Sequence, residues 1–575
     1  MSVTPIQIPQ RKKRTLLPDN FQLTNWESIQ PFIENLKNRK ISSEKDLQRW
    51  FEDRSELEAY VAENFAWRYI RMTCDTANEQ LVNDLQDFII NIQPKVAPET
   101  NTLNERALSN KYLADIEAEG FDIMIRSMRK DFEIFREENI PVITEIQTEE
   151  RKYGAIVGEM TVKIDSNEIT LQQASDYLQS TNRAIREEAY RKIAERRYQD
   201  KDKLDALFNR LIQLRHRQAL NTDFTNFRDY MFAALGRFDY KPEDCFAFHK
   251  AVAESVVPLL NELAKERKTA LQLDTLRPWD AKVDIYNKPA LKPFSSGEDL
   301  IIKTIECFSK LDPYLGQCLA IMKQMGHLDL ESRIGKAPGG YNYPLDEIGV
   351  PFIFMNATSN LRDMVTMLHE GGHAVHSFLT RDLSLNAYKH PPSEVAELAS
   401  MSMELISMDH WDVFFETEED VRRAKRQHLE QIIETLPWVA TIDKFQHWIY
   451  ENPSHTLEDR QANWLRIYEE FSDNITDWAG LEGYKVYIWQ KQLHLYEVPF
   501  YYVEYGIAQL GAIAVWKNFK QNPQRGLQGY LNALKLGYTR PVSEIYEAAF
   551  IPFNFSKEYI TDLMTYVKIE LSKVK

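Results

Sequence analysis

Leu361-Arg362-Asp363-Met364-Val365-Thr366-Met367-Leu368-His369-Glu370-Gly371-Gly372-His373-Ala374-Val375-His376-Ser377-Phe378-Leu379 is the stretch on which the reading of this 575-residue chain turns. Apolar residues at Leu361, Met364, Val365, Leu368, Val375, Phe378 and Leu379 recur at helical spacing. Ser359 or Asn360 can cap the start, and Asp363 falls in the first turn. On such a helix His369 and His373 leave the same face about 6 Å apart, and two neutral imidazoles at that separation can share one zinc ion. Glu370 lies about 100° round the helix from His369, off the ligand face but placed to reach a water on the metal. An HExxH helix divides its labour in this way, with two histidine ligands and a glutamate base, and is a metalloprotease signature.

Chance is a poor source for the motif. Histidine is scarce, 12 in 575 residues, and composition alone gives roughly 0.02 copies of HExxH in such a chain. Two surface histidines on an ordinary helix would also leave Gly371 and Gly372 without a purpose. Each glycine costs about 1 kcal/mol against alanine in a helix interior. Small residues fit where a substrate or another backbone comes close.

Composition sets the class. Hydrophobic residues make up 43 % and charged residues 27 % of the chain, as in ordinary globular proteins. No apolar run approaches the roughly 18 residues of a membrane helix; Gly506–Trp516 is the longest candidate and contains Gln509. The net charge of −16 argues against a nucleic-acid partner. Cys74, Cys245, Cys307 and Cys318 form no CxxC pair and read as reduced, mostly buried thiols of a cytoplasmic protein. Arg11-Lys12-Lys13-Arg14 is followed by no apolar stretch, so residues 1–20 read as a solvated, flexible leader and not as a secretory signal.

Helical patterns dominate the chain. They fill most of Asn25–Ile92 and Asn104–Glu138, broken by polar segments such as Lys40-Ile41-Ser42-Ser43. Between Tyr153 and Leu171 the period changes, and Met160–Ile164 and Ile169–Leu171 around Asp165-Ser166-Asn167-Glu168 predict a β-hairpin. Gly335–Tyr341 reads as a loop, which could admit a peptide strand beside Val350–Met355, itself part of a short apolar strand running to Asn356. The expected organisation is mainly α: the leader, a helical region 21–200 with the hairpin, and a helical region 201–575 carrying the metal site.

Catalytic zinc takes three protein ligands and a water, so a third ligand must follow the histidines. Pro391-Pro392 ends one segment, and Ser393 can cap a helix carrying Glu394, Glu397 and Glu404. Glu397 and Glu404 share a face, with Glu394 near it one turn away. Solvated acids on a helix surface would look the same, and spacing alone leaves all three open. His376 shares the histidine face one turn on, but a fourth protein ligand would close the site to water, so it reads as a hydrogen-bonded core histidine.

A family resemblance narrows the choice. Leu368–Ser377, followed by Val395-Ala396-Glu397-Leu398-Ala399-Ser400, resembles the zinc oligopeptidases of the thimet oligopeptidase and oligoendopeptidase F family. The resemblance makes Glu397 the third ligand and Glu404 the acid that orients a ligand histidine. Thr275–Asp280, Ser180–Arg186, and His494 with Phe500–Tyr505 are also similar to family segments, with the spacing from His494 to the tyrosines one residue shorter. It implies a two-lobed helical shell around a deep channel, with a few short strands near the active site. It also implies one zinc ion per chain and substrate or oxyanion contacts from His494, Tyr502 and Tyr505; without it, Tyr501, Tyr502 and Tyr505 would read as an aromatic core. The implied activity is endopeptidase cleavage of short unfolded peptides, with Glu370 as base. The alternatives are a helical metallocarboxypeptidase and a catalytically silent peptide-binding relative, against which the presence of Glu370 argues.

Overall fold

Helices begin in this chain where a polar side chain can take the first free N–H groups. Asn25 and Ser28 form a reciprocal capping box at α1 (Trp26–Asn38). Ser43 accepts from Asp46 N at α2 (Glu44–Cys74). Such caps satisfy donors that the helix itself leaves unpaired. The computed structural model describes residues 7–574. The further elements that position the sites are, in chain order, the strands β1 (Thr161–Ile164) and β2 (Asn167–Thr170), the helices α3 (Pro242–Ser255) and α4 (Gly297–Leu311), the strands β3 (Leu328–Glu331), β4 (Tyr341–Tyr343) and β5 (Phe352–Ala357), and the helices α5 (Leu361–Thr380), α6 (Ser393–Ile406), α7 (Glu418–Glu451), α8 (Tyr502–Gln521) and α9 (Pro523–Lys535). The protein is mainly helical with a few short strands, as the sequence predicts.

The chain forms two compact units, interleaved in sequence rather than consecutive. The first comprises the described residues up to Phe135, Lys292–Val421 and Gly511–Phe553. The second comprises Arg136–Leu291, Arg422–Leu510 and the described residues from Asn554. Two of the divisions fall inside the helices α7 and α8. No described helix is long and apolar enough to cross a membrane. All four cysteines are free thiols, three of them buried and Cys74 partly so.

In the first unit, α1 and α2 bury Trp26, Ile29, Ile33, Leu36, Leu47, Trp50 and Phe51 in one apolar cluster. The chain before α1 joins that cluster. Residues 1–6 of the expected leader lie outside the described residues; of residues 7–20 most are exposed, as expected of a solvated segment, but a few side chains anchor it. Leu17 is buried, Arg14 makes a two-pronged ion pair with Glu347 at 2.5 and 2.9 Å, and Lys12 donates to the carbonyls of Asp382 and Leu383.

The sheet of the first unit runs β3-β5-β4, with β5 parallel to β3 and antiparallel to β4. The expected strand before the metal helix is therefore β5, but both of its edges are taken and no peptide can be added beside it. Lys336 lies in the loop between β3 and β4, as the sequence predicts, but its side chain turns into the sheet. The sheet's register shifts between Asp329 and Glu331, and the Lys336 ammonium fills the irregularity. The ammonium donates to Asp329 O and Oδ1, to Glu331 O at 2.9 Å and to Met355 O, with its side chain wholly buried. Against the effect of burial, Arg333 and Lys336 hold the Asp329 carboxyl down to about 2.

In the second unit β1 and β2 form the predicted hairpin, shorter than the sequence reading because Tyr153–Gly158 finish a helix. Asp165 and Ser166 turn it with φ of 51° and 66°, the positive values that two-residue hairpin turns require.

Lys336→Met should lower the unfolding free energy in denaturant titrations by about 1–3 kcal/mol, since it breaks the Lys336–Asp329 pair and leaves buried carbonyl oxygens without their donor, while Asp329 keeps its two-pronged pair with Arg333 at 2.6 and 2.7 Å. The pair stabilises fully above about pH 4 and loses its contribution as pH falls toward 2, so the variant should lose less stability than the parent across that interval.

Candidate metal centre

Helix α5 starts at Asn360, whose side chain accepts from Asp363 N at 2.9 Å, so of the two expected caps Asn360 serves. Helix α6 starts differently from the expectation. Pro392, not Ser393, holds the cap position, and its carbonyl accepts from Val395 N and Ala396 N. Proline has no polar side chain to offer, so no side-chain cap forms there.

The two glycines of the motif explain how α5 packs, Gly372 against the α6 backbone and Gly371 against α4. A Cβ on Gly372 would stand 2.7 Å from Ala399 O and 2.7 Å from Ser400 Cα, and one on Gly371 would stand 2.7 Å from Phe308 Cζ on α4. The close approach anticipated from the sequence is thus backbone against backbone. Two hydroxyls also hold the α6 backbone: Tyr530 on α9 donates to Ala399 O at 2.7 Å, and Tyr546 donates to Glu394 O at 3.0 Å.

This packing brings three donors together. His369 Nε2 lies 3.3 Å and His373 Nε2 3.7 Å from Glu397 Oε2, and the donor atoms of the three residues all lie within 4.8 Å of one another. Two ligands at about 2.0–2.1 Å on a tetrahedral zinc are about 3.3 Å apart, so the donor set fits such an ion by spacing and by chemistry. Glu404 Oε1 sits 2.6 Å from His369 Nδ1, which fixes the tautomer that leaves Nε2 free as a ligand. Ser400 donates to Glu397 Oε2 at 3.1 Å. Glu394 and His376 are buried and lie outside the donor set.

Glu370 is buried beside this set. Burial pushes its carboxyl up to about 7, helped by the nearby charges of Glu397 and Glu404. Asn342 of β4 donates to Glu370 O at 3.2 Å, tying the edge strand to the motif. Burial pulls His373 down to about 4. It opposes charge on His369 too, but the carboxylates on both ring nitrogens hold that residue well above its ordinary value.

His494, Tyr502 and Tyr505 form one aromatic cluster within the second unit. Ring centroids lie 4.9 Å apart for His494 and Tyr502, 5.8 Å for His494 and Tyr505, and 5.5 Å for the two tyrosines. Gln492 Nε2 lies 2.7 Å from His494 Nδ1. The turn before the tyrosines is pinned at Phe500, which has a φ of 66°. Its N–H donates to Gln446 at 2.7 Å and its carbonyl accepts from Arg237.

The description Peptidase family M3 matches residues 177–565, and Peptidase M3 N-terminal domain matches residues 19–135. The chain belongs to peptidase family M3. An M3 relative from Borreliella burgdorferi, an oligoendopeptidase F homolog, is 23 % identical over 525 residues, or 85 % of this chain and 84 % of its own length. A Lactococcus lactis subsp. lactis homolog of the same name is 24 % identical over 65 % of this chain, which spans 62 % of that relative. Among solved structures, PZ peptidase A with an inhibitor shares the fold at a TM-score of 0.90 and 24 % identity, over 96 % of this chain and 98 % of the other. Oligoendopeptidase-F from Enterococcus faecium does so at 0.64 and 15 %, over 96 % and 97 %. The M3 match covers α5, α6 and the aromatic cluster. Sequence reading missed Asn342, Tyr530 and Tyr546, which carry no local pattern, while Ser400 lay within the quoted V-x-E-x-x-S stretch.

Gly372→Ala should cost about 1–3 kcal/mol of stability by overpacking and weaken zinc binding in competition titrations with a chelator. Gly154→Ala, where a Cβ meets nothing within 4 Å, should instead be neutral or stabilise by up to about 1 kcal/mol. Glu404→Ala should weaken metal binding about 10–100-fold, and Glu394→Ala should leave it unchanged.

Proposed function

We propose that this M3 chain is a zinc-dependent endopeptidase that hydrolyses internal bonds of short, unfolded peptides. The observation that carries the reading is a three-donor set, His369, His373 and Glu397, with a separate buried carboxylate, Glu370, beside it. The names of the oligoendopeptidase F relatives support the substrate class. His369, His373 and Glu397 would hold zinc, which would supply a Lewis acid for the scissile carbonyl and acidify the attacking water.

The chain's own residues do the rest. Glu370 accepts the proton of the attacking water and passes it to the leaving amine. Burial raises the proton affinity of its carboxyl, which favours the accepting half of that transfer. Glu404 holds His369 in its ligating tautomer, and Ser400 orients the Glu397 carboxylate. Tyr502, Tyr505 and His494 are assigned the donation of hydrogen bonds to the developing oxyanion, on the family resemblance and on their common cluster. The four free thiols support a reducing, cytoplasmic setting. No membrane or nucleic-acid partner is proposed.

Glu370→Gln should retain a full equivalent of zinc by mass spectrometry and lose nearly all turnover; loss of metal in this variant would make Glu370 a ligand and overturn the assignment. Digests of a mixed peptide library should show internal cuts in peptides of about ten residues, while folded proteins resist because their unfolding free energy opposes access. Release of single C-terminal residues alone would favour a carboxypeptidase. At least one of Tyr502→Phe and Tyr505→Phe should lower kcat about 10²–10³-fold with little change in KM, and near-normal kcat in the double variant would remove both tyrosines from the oxyanion role.

A further inference from the structure

The second unit contains another set of donors, far from the M3 motif in sequence. Cys245 and His249 are four residues apart on α3, and Asp443 and His447 are four residues apart on α7. Each pair therefore projects from one helix face, and the two faces meet. His249 Nε2 lies 2.8 Å and His447 Nε2 3.3 Å from Asp443 Oδ2. The donor atoms of Cys245, Asp443 and His447 all lie within 4.8 Å of one another. All four residues are at most 2 % exposed.

What surrounds them is apolar. Phe246, Phe500 and Phe232 ring His447 at centroid distances of 4.9, 5.4 and 6.0 Å, and Phe471 stands 6.4 Å from His249. In such a setting polar atoms are nearly always paired, but several here are not. Among the described residues, Asp443 Oδ1, His249 Nδ1 and His447 Nδ1 have no hydrogen-bond partner, and His447 Nε2 has only the 3.3 Å approach to Asp443 Oδ2. Lys444, the neighbouring cation, is engaged by Glu470 at 2.6 Å. A cavity of about 410 Å³ reaches the cluster at His249 and Phe246 and supplies a route from solvent.

We propose that Cys245, Asp443 and His447 form a second, structural metal site that binds zinc, with His249 holding the Asp443 carboxylate from the opposite side. Thiolate, imidazole and carboxylate are all zinc donors, and this mixture suits zinc better than the oxygen-seeking calcium or magnesium. On binding, the Cys245 thiol gives its proton to solvent and its sulfur lone pair to the metal. The dication, the thiolate and the Asp443 carboxylate then sum to zero charge, which removes the burden of a carboxylate enclosed by aromatic rings. His249 Nε2–H donates to Asp443, the outer hydrogen bond that ligating groups in metal sites commonly receive. Donors on a tetrahedral zinc lie about 3.3–3.7 Å apart, so closure requires side-chain movement of about an ångström.

The test counts metal on the full-length chain after equilibration with zinc and removal of the excess. Wild type should hold two equivalents, and Cys245→Ser and His373→Ala one each. Loading with cobalt(II) distinguishes the two centres, because only the Cys245 site contains a thiolate. A thiolate-to-cobalt charge-transfer absorption should be present in wild type and in His373→Ala and absent from Cys245→Ser, whose peptidase activity should stay within about two-fold of wild type. One equivalent in wild type, or no thiolate absorption in cobalt-loaded His373→Ala, would overturn the proposal and leave the cluster a metal-free hydrogen-bonded group. Should Cys245→Ser fail to fold, the wild-type and His373→Ala spectra decide alone. A failure here leaves the M3 centre untouched, since the two sites share no donor.

Discussion

Everything in the candidate centre depends on two helix backbones lying closer than side chains allow. At Gly372 the surface of α5 has no Cβ, and Ala399 O and Ser400 Cα occupy the space where one would stand, at 2.7 Å. Helices that carry ordinary side chains pack with axes about 8–10 Å apart. The glycine removes that spacer, and its helix penalty of about 1 kcal/mol is offset by the contact it permits. From that contact it follows that Glu397 stands between two histidines of the neighbouring helix, and that Glu404, two turns on, faces the outer nitrogen of His369.

The charges reinforce the packing. Glu370, Glu397 and Glu404 crowd around two imidazoles in a largely buried space. Burial raises the proton affinity of a carboxyl, and like charges this close add to it, which is the reason the Glu370 carboxyl stands near 7. A dication among the donors would offset the excess of acid. The same economy of charge appears at Lys336, whose ammonium is buried among one carboxylate and three carbonyl oxygens and fixes β3 against β5. A rigid sheet therefore lies next to the motif, joined to it through Asn342.

The part of this arrangement that local pattern encodes could be read from the sequence. Periodicity and an Asn360 cap define α5, and the i,i+4 histidines follow from helix geometry. Glu397 was one of three acids by spacing, and only a family resemblance singled it out, since burial of Glu394 and Glu397 depends on helices contributed by residues after Gly511. The Cys245–His249 and Asp443–His447 pairs each had helical spacing as well, but one pair alone says nothing until tertiary packing sets it against the other. The anchoring of the segment before α1 leaves no local pattern because the partner of Arg14 is Glu347, at a remove that no window of sequence spans. The role of the loop residue Lys336 is hidden for a related reason: three of its four acceptors are backbone carbonyls, which leave no mark in a sequence.

The interleaving of the two units bears on the order in which the molecule can be made. Synthesis delivers α5 and α6 well before α9 and Tyr546, so the ligand residues leave the ribosome before the hydroxyls that grip Ala399 O and Glu394 O. Gly511, against which Leu398 packs at 2.8 Å from the place a Cβ would take, also comes late. A nascent chain that has passed His369, Glu370, His373 and Glu397 therefore holds the donor set and its neighbouring carboxylate before the residues that grip α6 have been made.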